Sequence, residues 1–315
     1  MNAVERIILG FTMLLVPLLG ACGPDGREGS SAVADLPIEG TIFTIVLENH
    51  GAGVVEDDMP FTESLANAYA STDAYYADHH PSLPNYLIMT SGSDHDVDDD
   101  DPPSSHPLEG TDNLADQLDA AGVKWRAYME SMGESCVLED RDPYAVRHNP
   151  FVYYTSLTSD AARCQDHVVD MAEHFTEDLA SGDYHYMWIT PNNCNNMHDC
   201  EAGTSDEWLS QIIPLIMESP GYQAGGAIFL LWDEGGPDPT YVFGGKQTIP
   251  CIVISEQVQS PGYVSDILYS HDSYLATIED AFGMPRLETT VDSVPIADVF
   301  RAAQGQERLP TPSDP

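Results

Sequence analysis

Residues 41–50 read TIFTIVLENH, an apolar and β-branched run from Thr41 to Leu47 that passes directly into Glu48-Asn49-His50. A run this short, continuous rather than alternating, is the pattern of a strand buried on both faces, as in a parallel sheet covered by helices. Val123 to Met129, Tyr186 to Thr190 (YMWIT), Ala227 to Trp232 (AIFLLW) and Ile249 to Ile254 have the same character. Between them, Pro60 to Tyr69, Asn113 to Ala121, Ala162 to Ala180, Glu207 to Glu218 and Ser273 to Phe282 read as helices. Gly122 and Gly283 stop two of these, with Pro285 reinforcing the second. The alternation predicts an α/β fold with a mainly parallel central sheet flanked by helices.

The chain has 315 residues, with 11 Lys+Arg against 52 Asp+Glu, a formal net charge of −41. Its hydrophobic content of 42% suffices for a core, which excludes a wholly disordered acidic chain,. A field this negative repels phosphate backbones and excludes nucleic-acid binding through a basic face. An anionic substrate would need a local cation, and a bound metal is the obvious source.

Arg6 and the apolar stretch Ile7 to Leu19 read as the start of an export signal, too short to span a bilayer,. Leu19-Gly20-Ala21-Cys22 resembles the lipobox of bacterial lipoproteins, which implies cleavage before Cys22 and lipid on its thiol. An ordinary secretory signal cleaved near Ala21 is the alternative, and either reading exports the chain. The expected organisation is a signal peptide at 1–21, a flexible tether at 22–38, one domain at 39–303 and a disordered tail at 304–315. The protein then sits at the cell envelope, held at the membrane through Cys22 alone, or is secreted.

With Cys22 set aside, five cysteines remain, an odd number in an oxidising compartment,. Cys194 and Cys200 bracket a short polar loop and are the first expected disulfide; Cys136 with Cys164 is the next. Cys251, inside an apolar run, is expected as a buried free thiol. Zinc at Cys194 and Cys200 is the weaker alternative, because five intervening residues match no common zinc spacing,. Asp94 to Asp101 (DHDVDDDD) reads as a solvated acidic loop without EF-hand spacing,.

Ligands of open α/β sheets bind beyond the carboxyl ends of the strands. The first strand delivers Glu48-Asn49-His50 there. YMWIT delivers Pro191-Asn192-Asn193 with His198-Asp199 close behind, and AIFLLW delivers Asp233-Glu234-Gly235-Gly236. Ser82 stands in His79-His80-Pro81-Ser82-Leu83-Pro84-Asn85-Tyr86, where Pro84 suits a first helical turn,. That places Ser82 at or near a helix N-cap, beside free N–H groups that also suit a phosphate. A purely structural capping serine is the alternative.

Six segments then resemble, in order, the phosphoesterase family: IVLENH (Ile45 to His50), HPSLPNYLIMTSG (His80 to Gly92), RHNPFVYY (Arg147 to Tyr154), ITPNNCNNMHDC (Ile189 to Cys200), LLWDEGG (Leu230 to Gly236) and SHDSYLATIEDAFG (Ser270 to Gly283). That family joins bacterial phospholipases C to acid phosphatases within the alkaline phosphatase superfamily. The resemblance implies an alkaline-phosphatase-like core, metal or phosphate binding at Glu48 and Asn49, a nucleophile at Ser82 and metal-holding acids at Asp233 and Glu234. It also implies rim imidazoles at His198 and His271, with His148 a further candidate. The first motif reads ENHGAG rather than the phospholipases' ENRSFD-like form, which leans toward the acid phosphatases.

The chemistry of these residues agrees. A serine hydroxyl needs activation by a base or metal. A divalent ion held by Glu48, Asp233 and Glu234, with His271 as a further ligand, would supply it; oxygen ligands suit Mg, Ca or Mn, and a His ligand admits Zn. Asn49, Asn85 and His148 are the expected substrate-binding groups, and His80 or His198 the proton donor to the leaving alkoxide. The expected function is hydrolysis of a small phosphate ester. A phospholipase C-type phosphodiesterase and a non-catalytic, calcium-binding surface lipoprotein are the alternatives. A sulfatase is disfavoured because Tyr86 stands where its maturation motif needs Arg.

Overall fold

β1 (Ile42–Leu47) has all six residues buried, because it pairs in parallel on both edges, with β6 (Tyr186–Thr190) and with β7 (Ala227–Trp232). The other strands are β2 (Ala70–Thr72), β3 (Tyr75–Ala77), β4 (Trp125–Met129), β5 (Val168–Asp170), β8 (Val242–Phe243), β9 (Lys246–Thr248), β10 (Cys251–Ile254), β11 (Tyr263–Ser265) and β12 (Tyr269–Ser270). Eight of them form one sheet in the order β11-β2-β10-β7-β1-β6-β4-β5, parallel except where β10 meets β7 and β2. This is a computed structural model, and it describes residues 34–236, 242–243 and 246–302. The expected signal peptide, Cys22, most of the tether and the tail from 304 lie outside the described residues.

The helices are α1 (Val54–Asp58), α2 (Pro60–Ala68), α3 (Ser82–Ser91), α4 (Leu114–Ala120), α5 (Thr155–Thr158), α6 (Ala161–His167), α7 (Met171–Ser181), α8 (Ala202–Met217), α9 (Pro220–Gln223) and α10 (His271–Ala281). α3 packs on α10 and α2 on α8. The α2 start has no side-chain cap of its own. Asp206 of α8 supplies one, accepting from Phe61 N (2.9 Å) and Thr62 N (2.8 Å),. No helix among the described residues is long and apolar enough to cross a membrane.

The α/β expectation with a mainly parallel sheet holds, with two differences. The single helix expected over Ala162 to Ala180 is two helices separated by β5. The β-branched pair Val168-Val169 favours extended backbone, and Asp160 and Asp170 each cap a fresh helix start, on Arg163 N and Ala172 N among others,. A second sheet, β12-β3-β9-β8, was not expected, because strands of two or three residues leave no periodic signal,.

Both expected disulfides are present, Cys136–Cys164 with a Cα–Cα separation of 5.5 Å and Cys194–Cys200 with 4.7 Å,. Cys251 is a buried free thiol.

Candidate active site

Leu47 and Trp232 are register partners on neighbouring parallel strands, so Glu48 and Asp233 leave the sheet side by side. Asp233 N donates to the Leu47 carbonyl (3.0 Å), and Glu48 N to the Asn196 carbonyl of the loop after β6 (2.9 Å). Both residues lie beyond the carboxyl ends of neighbouring parallel strands at the middle of the sheet, the edge at which open α/β sheets take ligands,. Both side chains are fully buried. Gly236 belongs to the same construction, since a Cβ there would come within 2.8 Å of the Asn49 carbonyl.

Helix α3 aims two hydroxyls at one carboxylate. Ser82 Oγ donates to Glu48 Oε2 (3.0 Å) and Tyr86 OH to Glu48 Oε1 (2.5 Å). The two residues are one turn apart on the same helix face. Ser82 is the first helical residue, the N-cap is Pro81, and Oγ caps nothing. Ser82 thus lies at the expected helix start, and its side chain faces a carboxylate instead of capping the helix, as the alternative reading would have it.

The remaining candidates surround this group. Asp233 Oδ1 accepts from Asn49 N (3.2 Å), with Asn49 in the left-handed region at φ 53° that Asn tolerates,. Glu234 Oε2 lies 3.0 Å from His80 Nδ1 and accepts from Asn85 Nδ2 at 3.3 Å. Asn85 also bonds the backbone of His79, so it knits the loop before Ser82. His148 stacks on Tyr86, with its Nε2 3.4 Å from Glu48 Oε1. His271 uses both nitrogens elsewhere: Nε2 lies 2.6 Å from the Asp233 carbonyl and Nδ1 3.1 Å from Tyr75 OH. It braces the Asp233 backbone and has no nitrogen turned to the carboxylates.

Three buried carboxylates this close are electrostatically costly. Burial first, then repulsion from Asp233, lifts Glu48 well above the usual carboxylate range,. The same two causes raise Glu234, and burial raises Asp233 to about 6. Burial also pushes His271 down to about 4 and His148 well below its ordinary value. Asp233 Oδ2 is buried with no hydrogen-bond partner among the described residues. An orphaned carboxylate oxygen beside two further carboxylates and a hydroxyl is a set of hard oxygen donors that fits a divalent cation. Glu48, Asp233, Glu234 and the Ser82 hydroxyl are the residues that could hold one.

Arg147 and Asp100 were not picked out from the sequence. Arg147 NH2 lies 3.1 Å from His198 Nε2, and its Nε 3.7 Å from Asp100 Oδ2. Asp100 Oδ1 accepts from Leu83 N, next to Ser82, at 3.0 Å. The signal for Arg147 was its scarcity: a cation in RHNP, in a chain with 11 Lys+Arg, is conspicuous. Guanidinium only donates, so His198 Nε2 is the acceptor and its Nδ1 donates to Asp199 Oδ1 (2.7 Å),. Asp99, Asp101 and His106 also bring three ligand-type atoms within 4.8 Å of one another. Asp99 Oδ1 there already takes Asp101 N at 2.9 Å and sits 2.6 Å from His106 Nε2.

The model of the phosphoesterase family matches residues 52–285. The chain belongs to the phosphoesterase family. A phosphate-repressible acid phosphatase of Penicillium chrysogenum is 28% identical over 224 residues, covering 68% of this chain and 52% of its own length. The chain thus spans about half the length of this fungal relative. A phosphatidylinositol-3-phosphatase of Mycobacterium tuberculosis is 23% identical over 305 residues, covering 95% of this chain and 96% of its own. Among solved structures, an alkaline phosphatase superfamily protein of Vibrio parahaemolyticus superposes with a TM-score of 0.59 at 13% identity, over 82% of this chain and 71% of that one. That likeness carries the fold, an alkaline-phosphatase-like core.

A pH test follows from the buried carboxylates. A carboxylate whose folded pKa is raised stabilises less as pH climbs, because the folded state must give up protons it binds better than the unfolded chain. The lowered His271 and His148 act oppositely but only below about 6.5, the ordinary imidazole value. From there to about pH 8.5 the carboxylates carry the trend, because the buried Cys251 thiol and the tyrosines add to it only as pH reaches about 8.5 and above,. The chelator-treated protein is expected to lose stability from pH 6.5 to 8.5, and Mg or Mn to raise its Tm more at pH 8.5 than at pH 5. Asp233→Asn should remove most of that difference. An equal cation-induced shift at both pH values, followed by thermal melting, would contradict the assignment.

Proposed function

We propose that the protein is an exported phosphatase that hydrolyses small phosphate monoesters through Ser82, with a divalent cation held by Glu48, Asp233 and Glu234. The observation that carries this reading is the Ser82 hydroxyl 3.0 Å from a buried Glu48 carboxylate, beyond the carboxyl ends of the central strands of an alkaline-phosphatase-like sheet. A divalent ion there would neutralise the carboxylates and withdraw charge from the phosphoryl oxygens.

The chain's own groups have separable tasks. Ser82 Oγ already points its hydrogen at Glu48, so its proton has an acceptor when the oxygen attacks phosphorus,. The Oγ–P bond forms as the bond to the leaving alkoxide breaks in line, and water then hydrolyses the phosphoserine. Arg147 sits on the rim as the cation for the phosphoryl oxygens. Asn49 stands beside Asp233 as a further group for the phosphoryl oxygens. His80, half-exposed and 3.0 Å from Glu234, is assigned to protonate the leaving group,. His198 is assigned to hold Arg147 instead, because its Nε2 accepts from that side chain. Tyr86, Asn85, His148 and His271 hold the carboxylates in place.

The acid-phosphatase side of the family is favoured by the relatives of that name and by the ENHGAG motif. The non-catalytic calcium-binding alternative has less support. Its acidic loop engages its own carboxylates with local N–H groups and His106.

Ser82→Gly and Ser82→Ala should each cut turnover of p-nitrophenyl phosphate by about a thousandfold or more. Both should stay folded, with Tm lowered only by the loss of one hydrogen bond to Glu48, about 1–3 kcal/mol, a smaller effect than the loss of turnover,. A Ser82→Gly protein that retains near-parental turnover would overturn the nucleophile. For location, we propose lipid anchoring at Cys22, so Cys22→Ser should move the protein from the membrane fraction to the soluble one. A variant still membrane-bound after salt washing would refute that anchor.

A further inference from the structure

The acidic loop Asp94–Asp101 is docked against the candidate active site rather than projecting into solvent. Asp94 Oδ2 lies 3.5 Å from His79 Nε2, and the Asp101 carbonyl accepts from Tyr153 OH at 3.0 Å. Asp100 reaches furthest in, onto Leu83 N at 3.0 Å and toward Arg147 Nε at 3.7 Å. The loop thus flanks Ser82 through His79 on one side of it in sequence and Leu83 on the other. It carries six aspartates in eight residues, of which Asp96, Asp98 and Asp101 are exposed.

Cations to offset them are scarce. Among the described side chains, Lys124, Arg126, Arg141, Arg163 and Arg286 are paired with acids outside the site, and Arg301 with the Val258 carbonyl. Arg147 is the described Lys or Arg that touches both a site residue and the loop. Asp100 already offsets part of its charge. One phosphoryl group can be matched by Arg147 and a divalent ion. A second anionic group on the same substrate would meet the loop's carboxylates within a Debye length, about 10 Å at moderate salt, with no further Lys or Arg among the described side chains to pair it. A cationic group there would be attracted.

We propose that the loop Asp94–Asp101 is a charge filter at the mouth of the site, set chiefly by Asp100. It selects phosphate monoesters whose alcohol half is neutral or cationic over those with a second anionic group. This rests on the phosphatase reading above and names its substrate class.

The test compares kcat/KM for choline phosphate, glycerol 3-phosphate and 3-phosphoglycerate, with excess Mg or Mn, and p-nitrophenyl phosphate as the separate measure of phosphatase activity. The expected order is cationic, then neutral, then anionic, with a spread of about tenfold or more at low ionic strength that narrows in high salt. Asp100→Asn should shrink the ratio of choline phosphate to 3-phosphoglycerate several-fold. Asp96→Asn with Asp98→Asn, at exposed positions, should shrink it in the same direction and keeps the test open if Asp100→Asn does not fold. A structural role alone would lower all esters together and leave the ratio unchanged. Turnover of all three with no charge order, or a ratio indifferent to salt and loop variants, overturns the filter alone. No turnover of any ester, p-nitrophenyl phosphate included, overturns the phosphatase reading and the filter with it.

Discussion

Three carboxylates held out of water are the constraint around which this site is arranged. Glu48 and Asp233 follow paired strands in register, so the sheet itself forces them together, and Glu234 follows immediately. Isolated buried carboxylates are unfavourable by several kcal/mol or more unless they gain donors or a cation. The chain supplies donors in part: Ser82 and Tyr86 on Glu48, Asn49 N on Asp233, and Asn85 with His80 around Glu234. One oxygen of Asp233 receives none among the described residues. A divalent cation would complete the arrangement as a charged site, and under the proposed function the same cation would withdraw charge from the phosphoryl oxygens.

The surrounding elements serve to hold that arrangement rigid. One turn of α3 delivers both hydroxyls to Glu48, and His271 at the start of α10 grips the Asp233 backbone through its carbonyl. The loop after β6 is closed by Cys194–Cys200 and receives the Glu48 amide at Asn196. Preorganisation of this kind matters in phosphoryl transfer, where positioning and charge stabilisation do most of the work.

Much of this was legible in the sequence because strand burial and strand ends leave local signatures. Five apolar runs located the central strands, and the acids after two of them located the carboxylate group. The break at Val168-Val169 was hidden by flanking helical spacing, and the second sheet by strands too short to show a period. Ser82 was found through its helix start, where the fold puts it, but the bond of its hydroxyl to Glu48 depends on tertiary packing that the sequence does not show. Tyr86 sits four residues on, a spacing that points at the same carboxylate once the helix is known. Arg147 and Asp100 act through tertiary placement of loops, which no local pattern encodes. The acidic run keeps Asp96, Asp98 and Asp101 exposed, as a solvated loop does, but composition cannot say that it also folds back onto the helix that starts at Ser82.

The central claim, that Ser82 attacks phosphorus, is tested most directly by quenching the protein in acid during turnover of p-nitrophenyl phosphate and mapping phosphate by peptide mass. The account predicts one phosphoryl group on the peptide containing Ser82, absent before substrate is added and absent when Asp233 is replaced by Asn. Phosphate trapped on a different residue, or full turnover with an unmodified Ser82 peptide at every quench time, would contradict it.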